Sequence, residues 1–404
     1  MATRSEVIYQ SIALFSSNVT GDSTEGVPSG SVTALQRVTD IDWGGEVTRQ
    51  DINCMGKLAA TSREIIEEPT VNLSFSYYLA NGFNENAMGL AVRDYGHSTD
   101  VNIISGVLAD AFGSSEKNYY VLTVNQGEDA SNVSTDPITT DNTGYGVIGI
   151  GNAFMSDYTV NLAVGDIPNA SVTFDAANLT FSTLGGYTDN LYYTGFQNPA
   201  IKRAESTDLS DLQFSGVVNL PKFISAPAAS GVHGDPLSVA ALRPGDVVVN
   251  FAAAPMPAGG AILPGNTLAD TKQSAHVQSV SIGVPLSRTP LTRLGNPFAF
   301  ARKIDVPINT TITVAANIGD ITTGSLVNLL CADDVGRDIS IILGQKCGEA
   351  NNMRYDIKGA QLDSQSMSIN IGDSETVDLT FTAQIGGYND VDDGVFVSGF
   401  RQSA

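Results

Sequence analysis

Few side chains in this 404-residue chain are of the kinds that perform acid–base, nucleophilic or metal chemistry. The candidates are three histidines and three cysteines: His97, His233, His276, Cys54, Cys331 and Cys347. No two cysteines have the spacing of a zinc site, and an odd, sparse set does not form a disulfide framework. No nucleophile–histidine–carboxylate motif is recognisable either. We therefore expect no catalytic residue, no metal site and no cofactor, and we expect the cysteines to be buried thiols in a reducing compartment.

Three further features allow a binding function but favour a structural one. Residues 144–149 fit GxGxxG, which binds dinucleotides when a helix follows; a strand-like sequence follows here, so we favour a turn or bulge. Residues 389–394 form an acidic loop. A solvated loop is the favoured interpretation, and a cation bound at residues 390–393 is the alternative. Trp43, the sole tryptophan, is expected to anchor a loop by packing, with an interface anchor as the alternative.

Two segments concentrate positive charge in a chain whose net charge is −22. Residues 286–303 hold four cations and no acidic residue, and residues 47–63 hold three cations against Asp51. Each segment lies between two predicted strands and contains glycine, which is typical of a long hairpin arm. One interpretation is a solvated loop. The favoured one is an arm that docks on the acidic surface of another copy of the chain.

The composition disfavours several classes of function. The chain has 21 Lys and Arg against 43 Asp and Glu, whereas nucleic-acid-binding proteins owe most of their affinity to cations. The same balance disfavours an anionic membrane surface as a partner. The N-terminus lacks a signal-like apolar run, and the most apolar stretch, residues 247–263, is interrupted by proline and glycine. We expect a protein with no membrane anchor that is made in a cytoplasm.

The chain contains an internal repeat. Arg49 and Gly56 match Arg288 and Gly295 at an offset of 239 in the numbering, here called the first offset, which continues into the next strand. Further along, the second offset is 207, so the first half carries about 32 extra residues, which we place within residues 82–135. Additional matches pair residues 35–38 with 277–280, 179–181 with 379–381, and 192–196 with 396–400.

Apolar and polar residues alternate with period two in both halves, which predicts half-buried strands. Short helices are predicted at residues 104–112 and 325–334. We therefore predict a mainly β fold with two tandem β-sandwich or barrel domains, each with a short flanking helix and a hairpin arm. The first domain is placed at residues 1–200 and the second at residues 201–404. The second begins with a lead-in, residues 201–276, that is rich in Pro, Gly and Ala.

The order of these features resembles the tail tube proteins of tailed bacteriophages. A strand is followed by an Arg-x-Pro-Leu-x-x-Leu-Gly arm, a strand Arg-Lys-Ile-Asp-Val-Pro, a helix, and paired strands around Gly-Asp. The resemblance implies a small β-sandwich whose arm is used in ring stacking, with no catalytic residues. Some tail tube proteins carry two tube domains per chain. Together with the cationic pattern, the resemblance predicts these inter-ring contact residues: Arg49, Ile52, Met55, Gly56, Arg288, Pro290, Leu291, Arg293, Leu294 and Gly295.

The resemblance implies a virion structural protein that polymerises as stacked rings into the tail tube, the conduit for genome delivery. Three two-domain chains would form one pseudo-sixfold ring. The implied partners are further copies, a tape-measure protein in the lumen, a tail terminator, and baseplate or tip proteins. DNA would pass in transit without specific binding, and an acidic or neutral lumen suits that passage. The alternatives are another virion component, such as a neck or capsid decoration protein, and a carbohydrate-binding or adhesin module.

Overall fold

The computed structural model describes residues 12–19, 32–94, 102–108, 116–124, 130, 146–183, 186–188, 192–202, 217–221, 247–251, 276–295, 298–317, 337–344, 353–368, 376–387 and 390–399. Within these residues the chain is mainly β, as predicted, with 23 strands and two short helices. None of the helices in this part of the chain is long and apolar enough to cross a membrane.

Strands make up most of the described chain. In the first part they are β1 (Ile12–Asn18), β2 (Thr33–Ala34), β3 (Val38–Glu46), β4 (Arg49–Ile52), β5 (Ser62–Ile65), β6 (Thr70–Tyr78), β7 (Val92–Asp94), β8 (Glu116–Thr123), β9 (Gly146–Ala163), β10 (Asn169–Ala176) and β11 (Asn178–Thr183). Three strands follow, β12 (Gly186–Thr188), β13 (Tyr192–Gln197) and β14 (Val217–Pro221). The last part contains β15 (Val247–Phe251), β16 (His276–Pro285), β17 (Arg288–Leu291), β18 (Ala301–Ile304), β19 (Ile308–Asn317), β20 (Arg337–Leu343), β21 (Met353–Ser368), β22 (Thr376–Ile385) and β23 (Gly394–Gly399).

The two helices, α1 (Phe83–Ala87) and α2 (Ser105–Leu108), lie between β6 and β8. The second falls within the helix predicted at residues 104–112, whereas the first was not predicted. The helix predicted at residues 325–334 lies outside the described residues.

One sheet of 16 strands organises the described chain, and its longest path runs β15-β20-β21-β22-β19-β16-β9-β10-β6-β3. β6, β19 and β22 show the predicted alternation, because one face of each packs on the core, whereas β1, β8 and β23 are buried on both faces. In β6, for example, Val71 and Leu73 are buried while Asn72 between them is exposed. Aromatic rings fill the centre of this core, with the Phe75 and Phe174 centroids 5.7 Å apart. A single large cluster of buried side chains includes residues from both parts of the chain.

Two sets of strands pair in the same order within this sheet. The second set, β21-β22-β19-β16, is followed directly along the sheet by the first set, β9-β10-β6-β3. The strands before the arms share a β-bulge: Val38 opposes Tyr77 before a register shift, and Val277 opposes Ala316 before the same shift. The first offset therefore extends back to Val38 and Val277. The match of residues 35–38 with residues 277–280 is wrong by three positions.

The long strands β9 and β21 also share their irregularities. Asn152 and Gly359 are equivalent by the second offset, and both have positive φ, 53° and 70°, where β8 and β20 shift register. Glycine carries no steric penalty in this left-handed conformation, and asparagine tolerates it better than most residues. One extra residue in each long strand, Ser156 and Asp363, makes a second bulge opposite β10 and β22.

The last strands of the two sets correspond differently from the sequence prediction. Asn178 of β11 opposes Gly151, and Gly394 of β23 opposes Lys358, so β11 corresponds to β23. Residues 379–381 lie in β22, which corresponds to β10, so their match with residues 179–181 is wrong. The match of residues 192–196 with residues 396–400 is wrong too, because β13 belongs to a separate sheet of order β12-β13-β14. That sheet also crosses the domain boundary predicted at residue 200.

Candidate functional site

The first arm is a hairpin that forms its own two-stranded sheet. In β4 and β5, Arg49 opposes Ile65 and Ile52 opposes Ser62. Gly56 at the tip has a φ of 87°, and an added Cβ would meet nothing within 4 Å. The neighbouring Met55 side chain is 102% exposed. The glycine therefore serves the turn conformation rather than a close contact within the chain.

The second arm repeats this hairpin pair for pair. In β17 and β18, Arg288 opposes Ile304 and Leu291 opposes Ala301, and the first offset relates both pairs to those of the first arm. Gly295 has a φ of 85°, and Leu294 beside it is 104% exposed. The residues predicted for the arms thus lie in two equivalent hairpins. Their contact with another ring stays a prediction.

Exposed apolar side chains concentrate on these arms. Ten of the 16 large apolar side chains that are exposed in the described residues lie in these hairpins or within two residues of their ends. They are Val47, Ile52, Met55, Leu58, Ile65, Ile66, Leu291, Leu294, Phe300 and Val306. Apolar groups clustered on a surface are typical of protein interfaces, so the arms are candidate contact surfaces.

The arms differ in the environment of their first arginine. Arg49 is exposed, whereas the Cζ atom of Arg288 lies 4.9 Å from the ring centroid of Phe154, and its Nε donates to the Met155 carbonyl at 3.5 Å. Burial, with the nearby positive charge of Arg302, lowers the pKa of Arg288 to about 10. Arg288 is therefore held at the base of the arm, contrary to the expectation of a solvent-facing cation.

The other arginines of the arms are held locally as well. Arg63 Nε lies 2.5 Å from Asp51 Oδ1 across the first arm, with 65% and 51% of the two side chains exposed. Asp51 occupies the position of Pro290 in the second arm, so the first arm neutralises one of its own cations. Near the second tip, the Cζ atom of Arg293 lies 5.9 Å from the centroid of Phe300.

A nearly buried ion pair fastens the base of the second arm to the first strand set. Arg302 Nη2 lies 3.2 Å from Glu68 Oε1, and each side chain is 11% exposed. The amide N–H of Ala299 donates to Glu68 Oε2 at 2.9 Å. The Cζ atom of Arg302 lies 5.6 Å from the centroid of Phe154, the ring that Arg288 also covers. Neither Glu68 nor Phe154 is predicted from the sequence, because the repeat places Pro307 and Gln361 at the equivalent positions.

A buried polar cluster joins α1 to both strand sets. Tyr77 donates to Glu85 Oε1 at 2.7 Å, Tyr158 donates to the same oxygen at 3.4 Å, and the hydroxyls of Tyr158 and Tyr355 lie 2.8 Å apart. Burial raises the pKa of Glu85, and the hydrogen bond from Tyr77 offsets part of this shift. Burial also raises the pKa of all three tyrosines. The cluster links residues far apart in the chain, which sequence patterns do not reveal.

The main sheet has several strand edges without a neighbour in the described residues, among them those of β3 and of the second half of β21. β3 pairs only with β6, and the second half of β21, from Gln361 to Ser368, pairs only with β22. The equivalent strands β16 and β9 pair with each other, with Ile282 opposite Val160. The chain therefore contains one complete junction of this kind and one unpaired copy of each strand that forms it.

The remaining predicted motifs have structural roles where they are described. Gly149 and Gly151 lie in β9, and an added Cβ on Gly151 would clash with the Pro199 carbonyl oxygen. Residues 146–149 are regular strand paired with β11, so the favoured turn or bulge is wrong there. The strand continues in place of the helix that a dinucleotide site needs, so that alternative is wrong too. Trp43 lies half-buried in β3, and not in a loop as expected.

Residues 390–393 of the acidic loop lie outside any strand and are mostly exposed, as expected, whereas Cys54 differs from expectation. The backbone N–H of Asp392 donates to Asp390 Oδ1 at 2.9 Å. In the described residues no three His, Cys, Asp or Glu side chains are grouped to hold a metal ion. Cys54 is exposed near the first arm tip, where the Thr61 hydroxyl donates to its sulfur at 2.9 Å, so the expectation of a buried thiol is wrong there. Cys331 and Cys347 lie outside the described residues.

Neither a scan against protein-family models nor a search of the curated proteins finds a match to this chain. What the chain does must therefore be inferred from the two arms, the repeated strand sets and the open strand edges.

Proposed function

We propose that this chain is a tail tube protein, a virion structural protein that polymerises as stacked rings into the conduit for genome delivery. The observation that carries the proposal is the repeated strand order. Nine strands from β1 to β11 correspond in pairing to nine strands from β15 to β23. We take each set, with its arm, as one tube domain, in agreement with the resemblance to tail tube proteins that carry two such domains.

The way in which the two sets are joined supports a ring. They are related head to tail, because the last strand of one path pairs with the first strand of the other. A heterologous contact of this kind closes into a ring or continues as an open helix when it is repeated. Rings of tail tube proteins have six domains, so three chains would make one ring with threefold symmetry and pseudo-sixfold strand packing.

The arms supply a means of stacking one ring on the next. Their tips expose Met55 and Leu294 almost completely, and such side chains gain from burial against a second ring. The resemblance to tail tube proteins implies the remaining partners: a tape-measure protein in the lumen, a tail terminator, and baseplate or tip proteins. DNA is a passenger, and a chain with a net charge of −22 offers it few contacts that release counterions. The protein would reside in the virion tail after assembly in the host cytoplasm.

Electron microscopy of the purified chain at high concentration tests the proposal. Negatively stained samples should show tubes or stacked rings, and averaged end views should show threefold symmetry with six similar lobes. A monomer that persists at high concentration would contradict tube formation. A ring of six whole chains would contradict the trimer while leaving the tube in place. Single rings that never stack would favour a neck component.

A further inference from the structure

We propose that β3 of one copy pairs antiparallel with the second half of β21 of the next copy, with Trp43 opposite Met367. This inference rests on the proposed ring and names the strands and the register that close it. Among the described residues, β3 lacks the neighbour that its equivalent β16 has, and the second half of β21 lacks the neighbour that its equivalent β9 has. Each strand is the equivalent of the neighbour that the other lacks, so the partner is a second copy of this chain.

The register follows from the complete junction inside the chain. There β16 and β9 are antiparallel, with Ile282 opposite Val160. The shared bulge before the arms equates Ile282 with Trp43 by the first offset. The shared bulges of the long strands equate Val160 with Met367 by the second offset. Replacing each residue of the internal pair by its equivalent gives the pair Trp43 and Met367.

Burial shows that these two edges are incomplete. In the internal junction, Ile282 is 1% exposed and Val160 is fully buried. At the open edges, Trp43 is only half-buried and Met367 is 41% exposed. Large apolar side chains thus occupy positions that the internal junction buries. Pairing the two strands would restore the burial that their equivalents have, and it would place a methionine sulfur beside an aromatic ring, a favourable contact.

The acidic side chains of the two strands are compatible with this register. Glu46 falls opposite Ser364, as Pro285 falls opposite Asp157 in the internal junction. Asp363 falls opposite Val47, because Leu286 donates its N–H to the carbonyl of the equivalent Ser156. No acidic residue of β3 therefore lies opposite an acidic residue in the second half of β21. Like charges directly opposite would destabilise the pairing.

Disulfide trapping between chains tests the register. The three native cysteines are replaced by serine, and Trp43→Cys and Met367→Cys are introduced in separate chains, which are then mixed and oxidised under assembly conditions. Residues directly opposite in an antiparallel pair lie about 4.5–5.5 Å apart between Cα atoms, within the range that a disulfide spans. We expect a disulfide-linked dimer on a non-reducing gel, with mass spectrometry confirming that the linked peptides are joined at positions 43 and 367. The matched control is Gln365→Cys mixed with Trp43→Cys, since diagonal neighbours lie about 7–8 Å apart.

Photocrosslinking tests the same pairing with an aromatic side chain retained at position 43. A photoreactive phenylalanine analogue in place of Trp43 should crosslink to the peptide that contains residues 361–368 of another chain. If tubes form but neither method links the two strands, the register is overturned and the proposed function stands. If the link forms in a chain that makes no tubes, the junction holds and the tube proposal fails. Efficient linking through Gln365→Cys instead of Met367→Cys would also overturn the register.

Discussion

Removing the Glu68 carboxylate should destabilise the chain far more than removing that of Asp51. The two carboxylates pair with Arg302 and Arg63, which occupy equivalent positions in the two arms. The difference lies in solvent access: the side chains of the Glu68 pair are each 11% exposed, whereas those of the Asp51 pair are 51% and 65% exposed. The two substitutions therefore compare one interaction in two environments.

The expected magnitude follows from what Glu68→Ala leaves behind. Arg302 would keep its charge in a nearly closed site beside Arg288, with both guanidinium groups over the ring of Phe154. Removing one partner of a buried ion pair costs about 3–5 kcal/mol. The site is not fully closed, so we expect a loss at the lower end of that range, about 3 kcal/mol. Asp51→Ala breaks an exposed pair, for which about 0.2–1 kcal/mol is usual.

Urea denaturation followed by the fluorescence of the sole tryptophan measures both losses. With a slope of about 3 kcal/mol per molar urea, a loss of about 3 kcal/mol lowers the midpoint by about 1 M. Glu68→Gln should fall between the parent and the alanine variant, because its amide oxygen still accepts from Ala299. Equal midpoint shifts for Glu68→Ala and Asp51→Ala would refute the reasoning, as would a loss below about 1 kcal/mol in Glu68→Ala.

Two further predictions concern the buried carboxyl and the arm tips. Burial raises the pKa of Glu85 above its ordinary value of 4.5, so the folded chain holds this proton more tightly than the unfolded chain does. The resulting stability is fully present below pH 4.5 and is lost as the pH rises through the folded pKa. The urea midpoint of Glu85→Gln should therefore depend less on pH than that of the parent between pH 4.5 and neutrality. An unchanged pH dependence would contradict this. Met55→Ser with Leu294→Ser should shorten or abolish tubes in micrographs without moving the urea midpoint, because both side chains are exposed in the single chain. Val164→Ser, which alters an exposed residue outside the arms, is the control, and full-length tubes from the arm variant would exclude the tips as stacking contacts.

The sequence predicted the mainly β fold and located the arms for identifiable physical reasons. Strands such as β6 bury one face, so their apolar residues must alternate with polar ones. The arms leave the sheet, so they retain cations and a turn glycine that the strands around them lack. Gly56 and Gly295 could be matched from sequence alone because a positive φ strongly favours glycine at both tips.

The last strands of the two halves could not be matched correctly from the sequence, because a period-two pattern matches itself after any even shift. The segment Leu-Thr-Phe occurs in β11 and in β22, yet only the pairing partners show that these strands differ in position. The base of the second arm was missed for another reason. Glu68 and Arg302 are 234 positions apart. Their equivalents, Pro307 and Arg63, do not repeat the carboxylate–arginine combination.

The internal junction and the proposed junction between chains should differ in strength, and this difference explains why the arm base is not repeated. The internal junction forms within one folding chain, so Glu68 and Arg302 can be buried together without ever facing solvent unpaired in the folded state. The junction between chains has to remain open before assembly. A lone arginine or carboxylate held there in a nearly buried site would destabilise every free chain. Pro307 occupies the position equivalent to Glu68, and Arg63, the equivalent of Arg302, pairs with Asp51 in its own exposed arm. Exposed Trp43 and Met367 destabilise the free chain less than an unpaired charge in a nearly buried site would, because proteins tolerate exposed apolar surface better than an unpaired buried charge.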